Sequence, residues 1–575
     1  MRKKSGYISI LLNHGGTALP MGKGRGAGCR YACKPQCFRI RRYRGYRYCQ
    51  SYRCRPARIT SAILFTPTTR SKLGSVFSAL RLIVFLLLQY GALCLGLSAC
   101  SAGAIVPPYE PPPPQHAIPP AQDGAFTELE NYYRNKHGPD ISGFELLDSN
   151  EHALRWRLAL IDSAQYSIDF QYYLWYGDTA GKLIAARILD AADRGVKIRV
   201  LVDDLNTLLR DATSVVLRDK VVAWLDLHPN IEMRLFNPWS YREWGGRIQE
   251  GLGDFKKANQ RMHNKALIVD NRAVIIGGRN IGDEYLGMNS SFNFHDLDVL
   301  GIGPVARQTS TMFDAYWNSR WVMPASLLAI KITPEERTRA RTEMSRDLAE
   351  KSALSNFSIE PQSWDGAIAD LKDQIHPGTS RVVFDIPREN AIDHVMLEEI
   401  HSLIGSPQRE LSIINAYIIP TERGIATLEQ LNAGGRDVRI LTNSLASHDV
   451  PAVNSHYRPW RKQIVKSGAE LYELRADAAI TADLCETYPT KGKFVGLHSK
   501  ALVVDRELSY IGSMNFDPRS AALNTEMGVI INSKGLGEAL SALIERDMLA
   551  ENSWRVSLDD TGKLQWAHDS ASTNT

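Results

Sequence analysis

The first 99 residues contain no aspartate or glutamate, although they carry 18 of the chain's 68 lysines and arginines. The remainder of the 575-residue chain therefore holds 50 basic residues against all 63 acidic ones, a net charge of −13. An acidic body lacks the basic stripe that a nucleic-acid grip requires, so no nucleic-acid partner is expected. Cysteine is scarce in the same region. Seven of the eight fall at or before residue 100 (Cys29, Cys33, Cys37, Cys49, Cys54, Cys94 and Cys100), and Cys485 stands alone in the body. No intrachain disulfide can hold that body together. The early cysteines have no histidine between Cys29 and Cys54 and depart from the paired CxxC of common zinc modules, so no structural metal is expected there. The composition, 44% apolar and 23% charged, is that of a globular protein.

One long charge-free apolar run is present, LIVFLLLQYGALCLGLSAC at 82–100, preceded by Arg70, Lys72 and Arg81. With Leu97-Ser98-Ala99-Cys100 it resembles a bacterial lipoprotein signal, in which Cys100 becomes the lipidated first residue. A single N-terminal membrane anchor is the alternative. In either case the basic flank stays cytoplasmic and the body lies on the exported side of the envelope. Residues 1–69 are rich in Arg, Cys, Gly and Tyr without hydrophobic periodicity and are expected not to fold. A start site placed too far upstream would account for them. The segment PPYEPPPPQHAIPP (107–120) is expected to act as a stiff tether.

Within the body the pattern HxKxxxxD occurs twice, as His263, Lys265 and Asp270 and as His498, Lys500 and Asp505. Seventeen residues after each histidine stands an asparagine, Asn280 and Asn515, behind the small pairs Gly277-Gly278 and Gly512-Ser513. An acid follows each, Asp296 and Glu526. The repeat extends outward: YSIDFQYYLW (166–175) pairs with LSIINAYIIP (411–420), matching Tyr172 to Tyr417, and KIRVLVDD (197–204) pairs with DVRILTN (437–443). Strand and helix signals alternate, which predicts a duplicated α/β fold whose sheets are mixed and mostly parallel, covered by helices. Each HxK opens a strand of an apolar hairpin, and the period of two puts His and Lys on one face. The expected boundaries are a first lobe at 125–321, a connection at 322–380 and a second lobe at 381–567, after a leader (1–69), a signal or anchor (70–99) and a tether (100–124).

A histidine nitrogen can attack a phosphodiester if the phosphate charge is neutralised and the leaving alkoxide is protonated. One histidine cannot do both, so the chemistry calls for two. The doubled motif resembles that of the phospholipase D superfamily. The stretches RMHNKALIVDNRAVIIGGRNIGDEYLG, FHDLDVLGIGPVA, LTNSLASHDVPAVNSHYRPWRK, GLHSKALVVD and IGSMNFDPRSAALNTEMGVII are similar to bacterial cardiolipin synthases of the C type, and the likeness covers roughly 125–567. The resemblance implies that His263 and His498 act as nucleophile and acid–base, with His263 preferred as nucleophile. It also implies that Lys265, Lys500, Asn280 and Asn515 hold the phosphoryl oxygens. Asp296 and Glu526 would each accept a hydrogen bond from an imidazole. Asp270 and Asp505 complete the catalytic motif, though bracing of the hairpin is the role expected of them. No cofactor and no metal are expected, since two ammonium groups supply the positive charge. The implied activity is phosphatidyl transfer at a membrane surface to phosphatidylglycerol, with phosphatidylethanolamine a candidate donor. Phospholipid hydrolysis or nuclease action are the alternatives. Trp239, Trp244, Lys256, Lys257 and Arg261 precede the first motif; packing is the favoured reading for them, contact with lipid headgroups the other.

Overall fold

The computed structural model describes residues 109–205, 215–242 and 244–567; Cys100, the remaining leader and the side chain of Trp244 lie outside the described residues. The first lobe contributes β1 (Ser142–Leu147), β2 (Ser167–Tyr172), β3 (Lys197–Asp203), β4 (Ile231–Phe236), β5 (Lys265–Val269), β6 (Ala273–Gly277), β7 (Phe292–His295), β8 (Asp298–Ile302) and β9 (Val322–Pro324). After them come β10 (His376–Phe384) and a small hairpin, β11 (Ile386–Pro387) with β12 (Ile392–Asp393). The second lobe continues with β13 (Glu410–Asn415), β14 (Asp437–Asn443), β15 (Glu470–Leu474), β16 (Phe494–Leu497), β17 (Lys500–Val504), β18 (Leu508–Gly512), β19 (Met527–Asn532), β20 (Ser553–Leu558) and β21 (Leu564–Ala567).

Hydrogen bonding orders the first lobe β9–β4–β3–β2–β5–β6–β8–β1. The second runs β10–β19–β18–β17–β13–β14–β15–β20–β21. Antiparallel pairing of β1 with β10, Ser142 opposite Gly378 and Phe144 opposite His376, fuses the two into one 17-stranded sheet. In each lobe three central strands are parallel, β2–β3–β4 and β13–β14–β15, linked by helical crossovers such as Thr179–Asp193 and Glu422–Ala433. The HxK hairpins, each antiparallel across its tight turn, join them through antiparallel pairing of β5 with β2 and of β17 with β13. One apolar core fills each lobe. A third core lies between them, where Phe144, Ile276, Phe313 and Trp317 meet Ile414, Leu441, Ile511 and Val529.

Three expectations need correcting. First, the connection is shorter than 322–380: β9 already belongs to the first lobe's edge, and β10 begins at His376, inside the second lobe's sheet. The intervening helix Pro334–Ala349 opens with a capping box at Thr333 and Glu336 and docks on helix Thr179–Asp193 through Arg341 to Asp190. Second, Tyr172 and Tyr417 are not equivalent. Tyr172 lies opposite Lys265 whereas Asn415 lies opposite Lys500, so the true register differs by two residues. A two-residue slip keeps every side chain on its own face of the strand, so the apolar alternation does not reveal it. In the structure Tyr172 is buried beside Arg157, and Tyr417 lies beyond the end of its strand, partly buried with its hydroxyl on Asp449. Third, residues 109–121 do not stand off as a spacer. Tyr109 donates to Val322 O, Gln115 bonds Asn318 and Trp317, and Ala121 N–H reaches Asp270 O, so the proline-rich strand is stapled along the first lobe.

Candidate active site

Both HxK strands start at the edge where the parallel strands of their lobe end, with Lys265 opposite Tyr172 and Lys500 opposite Asn415. The lobes meet through these edges. β7 and β16, one from each lobe, run parallel with His295 opposite Leu497. His498 N–H then donates to His295 O at 2.8 Å, and His263 N–H donates to Thr525 O at 2.9 Å. Each motif histidine is thus held by the other lobe's acid-bearing segment.

The side chains repeat this exchange. His263 Nδ1 lies 2.9 Å from Glu526 Oε2 and 3.1 Å from Ser513 O, while His498 Nδ1 lies 2.5 Å from Asp296 Oδ2. Each Nδ1 faces acceptors and must carry the hydrogen, leaving Nε2 bare on a neutral ring. The close approach explains the small pair before each asparagine. A Cβ on Gly278 would sit 2.2 Å from Asp296 Oδ1, whereas Ser513 turns its hydroxyl to Glu526 Oε2 at 2.5 Å.

Charge is concentrated in a buried space. Lys265 Nζ donates to His263 O at 2.6 Å, and Lys500 Nζ to His498 O. Burial, then the ammonium groups of Lys265 and Lys500, push the His263 imidazole well below the usual range. Burial and Lys500 hold His498 at about 3. Burial also lowers Lys500 to about 8 and pushes Lys265 well below its usual range. The two acids diverge. Burial would raise Asp296, but His498 and Lys500 outweigh it and hold the carboxyl at about 2. For Glu526 burial prevails over Lys265, and the carboxyl rises to about 7. Two bare imidazole nitrogens backed by two ammonium groups in a water-poor cleft suit an anionic centre that must be attacked from one side and released on the other.

The family described as "Cardiolipin synthase, PLD-like domain" matches residues 158–317 and 400–548, one copy per lobe. Over 441 residues the chain is 35% identical to Cardiolipin synthase C of Escherichia coli (strain K12), covering 74% of this chain and 89% of that protein. The chain belongs to the phospholipase D superfamily. It is a cardiolipin synthase-like enzyme of that group. It is also 26% identical to Cardiolipin synthase A of Pseudomonas entomophila (strain L48), covering 73% of this chain and 72% of the relative. Among solved structures, the phosphatidylserine synthase of Haemophilus influenzae Rd KW20 is 15% identical with a TM-score of 0.49, covering 73% of this chain and 91% of that one.

Within this superfamily site the motif residues divide by place. His263, Lys265, His498 and Lys500 converge, together with Asp296 and Glu526. Asn280 accepts Leu174 N–H at 3.2 Å beside the His263 strand, and the buried Asn515 Oδ1 has no hydrogen-bond partner among the described residues. Asp270 and Asp505 sit apart, at the far ends of β5 and β17. Their carboxylates accept the backbone N–H groups of residues 165–167 (2.7–2.9 Å) and 408–410 (2.8–2.9 Å). Both occupy left-handed turn positions, φ 52° and 53°, of tight hairpins, so the last letter of the motif is structural. Of the residues before the first motif, Trp239 and Arg261 are buried, the guanidinium 4.7 Å from the ring centre. Lys256 and Lys257 are exposed.

Several contributors escaped the sequence reading. Tyr173 sets its ring edge-on to His263 (5.0 Å) and Tyr285 to His498 (5.2 Å). Arg519 adds a further positive charge near His263 while bonding Asn259 at 2.8 Å. Their signal was their place just after motif elements: Tyr285 five residues beyond Asn280, and Arg519 four beyond Asn515. Among the described residues, no group of three or more His, Cys, Asp or Glu is arranged to hold a metal ion. No described helix is long and apolar enough to cross a membrane.

Proposed function

We propose that the enzyme transfers a phosphatidyl group from a phospholipid donor to the glycerol hydroxyl of phosphatidylglycerol, giving cardiolipin. The observation that carries this reading is the pair of complete half-sites joined in one buried cleft, in a chain 35% identical to Cardiolipin synthase C. His498 takes up a proton at Nε2 as the anionic phosphodiester binds, and His263 Nε2 attacks phosphorus while His498 gives that proton to the departing alkoxide, leaving a phosphohistidine. His498 then takes the proton of the incoming hydroxyl, which attacks phosphorus and frees His263. Lys265, Lys500, Asn280 and Asn515 bind the non-bridging oxygens. The division of roles follows the acids. Ionised Asp296, held at about 2, favours an imidazolium on His498 once the phosphate charge is bound. Glu526, raised to about 7, leaves His263 neutral and nucleophilic at moderate pH. Water would open the phosphohistidine as readily as a lipid hydroxyl unless the hydroxyl is positioned. Orientation supplies effective molarities of roughly 10⁵–10⁸ M, against about 55 M for water.

Purified protein given labelled phosphatidylglycerol in vesicles, with and without phosphatidylethanolamine, is expected to form cardiolipin with little phosphatidic acid. Phosphatidic acid alone would replace this reading with a hydrolase, and DNA cleavage at comparable rates with a nuclease. His498→Ala is expected to trap a phosphatidyl-enzyme that His263→Ala cannot form; the reverse result would exchange the two roles. The reading also places the enzyme on the exported side of a bacterial envelope through lipidated Cys100. Mass spectrometry of protein extracted from membranes tests this, and native peptides from residues 1–69 would refute it.

A further inference from the structure

The segment between β4 and the first HxK strand folds as helix Trp244–Gly253 followed by helix Phe255–Asn259, nearly continuous because Asp254 N–H still reaches Glu250 O at 2.9 Å. Its amphipathic pattern is inverted. Arg247 is buried and donates to Tyr241 O, and Glu250 accepts from Ser240 N–H and Oγ, so the polar face is turned inward. The apolar residues Ile248 (41% exposed), Leu252 (82%) and Phe255 (70%) follow at i, i+4 and i+7 and form an outward stripe. Isolated exposed apolar residues are ordinary on protein surfaces, but a helical stripe of three large ones is not. Lys256 and Lys257 are exposed beside it, and the neighbouring Asp254 is engaged in capping Lys257 N–H at 3.0 Å.

The stripe is rigidly coupled to the active-site rim. Asn237 donates to Lys257 O and Gln260 O, Arg261 donates to Asn237 O, and His263 follows two residues on. Across the cleft Arg519, whose charge acts on His263, holds Asn259. In the second lobe the loop after β14 lies at the matching sheet edge and exposes Leu445 (69%) close to Asp449, which acts on Lys500. Large apolar side chains therefore mark the rims of both half-sites.

We propose that the stripe Ile248–Leu252–Phe255 is a docking surface for an anionic phospholipid bilayer, inserting Leu252 and Phe255 among the acyl chains while Lys256 and Lys257 meet the headgroup phosphates. Such seating suits an apolar stripe flanked by lysine, and it would deliver a lipid to the cleft without full extraction into water. The inference rests on the phospholipid reading of the site. To test it, p-benzoylphenylalanine is placed at position 252 or 255 of the full chain, reconstituted with vesicles of phosphatidylethanolamine and phosphatidylglycerol, and irradiated. Lipid adducts on the 244–259 peptide are expected. Crosslinks to a second copy, to another segment of the chain or to nothing would overturn the proposal. Kinetically, Leu252→Asp with Phe255→Asp should lower turnover of vesicle lipid about tenfold or more. Turnover of a dispersed short-chain phospholipid should stay within about twofold. Equal losses on both substrates would also overturn it. If the parent protein turns over no phospholipid in either form, the functional reading fails, whereas the crosslink still reports on docking.

Discussion

The exchange of acids between lobes makes Asp296→Asn and Glu526→Gln an unequal pair. Asp296 is ionised, held at about 2 by His498 and Lys500 against the effect of burial, and its oxygen lies 2.5 Å from His498 Nδ1. An amide keeps the shape but removes the charge that stabilises an imidazolium, and it can present its NH₂ to the ring and select the wrong tautomer. A charge-assisted hydrogen bond contributes about 1.5–3 kcal/mol; with tautomer control added, the expected loss is about 2–4 kcal/mol, roughly 30- to 1000-fold in turnover. Glu526 is different. Burial raises its carboxyl to about 7, so below that pH the wild-type group is already largely neutral and glutamine resembles it. Glu526→Gln is expected to cost about fivefold or less near pH 6. Its penalty should grow above pH 7, where the wild-type carboxyl ionises. The assay is kcat/KM against pH from about 5.5 to 8.5 with a chromogenic phosphodiester, each variant checked for wild-type thermal unfolding. Equal losses at pH 6, or a Glu526→Gln penalty that shrinks as pH rises, would refute the assignment of charge to Asp296 and neutrality to Glu526.

Gly278→Ala should cost about 100-fold in turnover, because a Cβ 2.2 Å from Asp296 Oδ1 must displace the carboxylate that orients His498; kinetics with an unchanged circular dichroism spectrum would show it. Asp270→Ala should leave three strand-edge N–H groups without their carboxylate and lower stability by about 2–4 kcal/mol. Folded enzyme should keep its turnover within a few-fold, measured by denaturant titration alongside kcat. In the lipid-free enzyme His498, held at about 3, should stay neutral between about pH 5 and 8 by nuclear magnetic resonance, while His295, which Asp547 raises to about 10 despite burial, should stay protonated throughout. Because an unfolded imidazole takes up its proton near 6.5, below that pH the unfolded chain binds a proton that folded His498 refuses. His498→Gln should therefore gain stability relative to wild type by about 1.4 kcal/mol per unit as pH falls from 6.5.

The sequence alone determined the two half-sites, because a strand's period of two requires His and Lys two apart and a tight hairpin turn requires a residue such as Asp270 or Asp505 at positive φ. Alternation of strand and helix signals likewise fixed the doubled α/β lobes, since these are local consequences of local pattern. Where longer-range packing decides, the reading slipped. Tyr172 was set against Tyr417 although Asn415 holds the equivalent register, because a two-residue shift preserves the alternation of faces and only hydrogen-bonded neighbours reveal it. The proline-rich strand looked like a spacer because nothing local announces that Gln115 will find Asn318 and Trp317. Which face of helix Trp244–Gly253 turns outward depends on partners such as Tyr241 and Ser240 that the local sequence does not announce. Above all, Asp296 follows His263 in the chain yet serves His498, and Glu526 follows His498 yet serves His263. Chain order cannot express that crossing. It arises because two parallel pairings cross the lobe boundary, β7 with β16 bringing Asp296 to His498 and Met262 with Thr525 bringing Glu526 to His263, so the residues of the site were written in the sequence and their partnerships were decided by the fold.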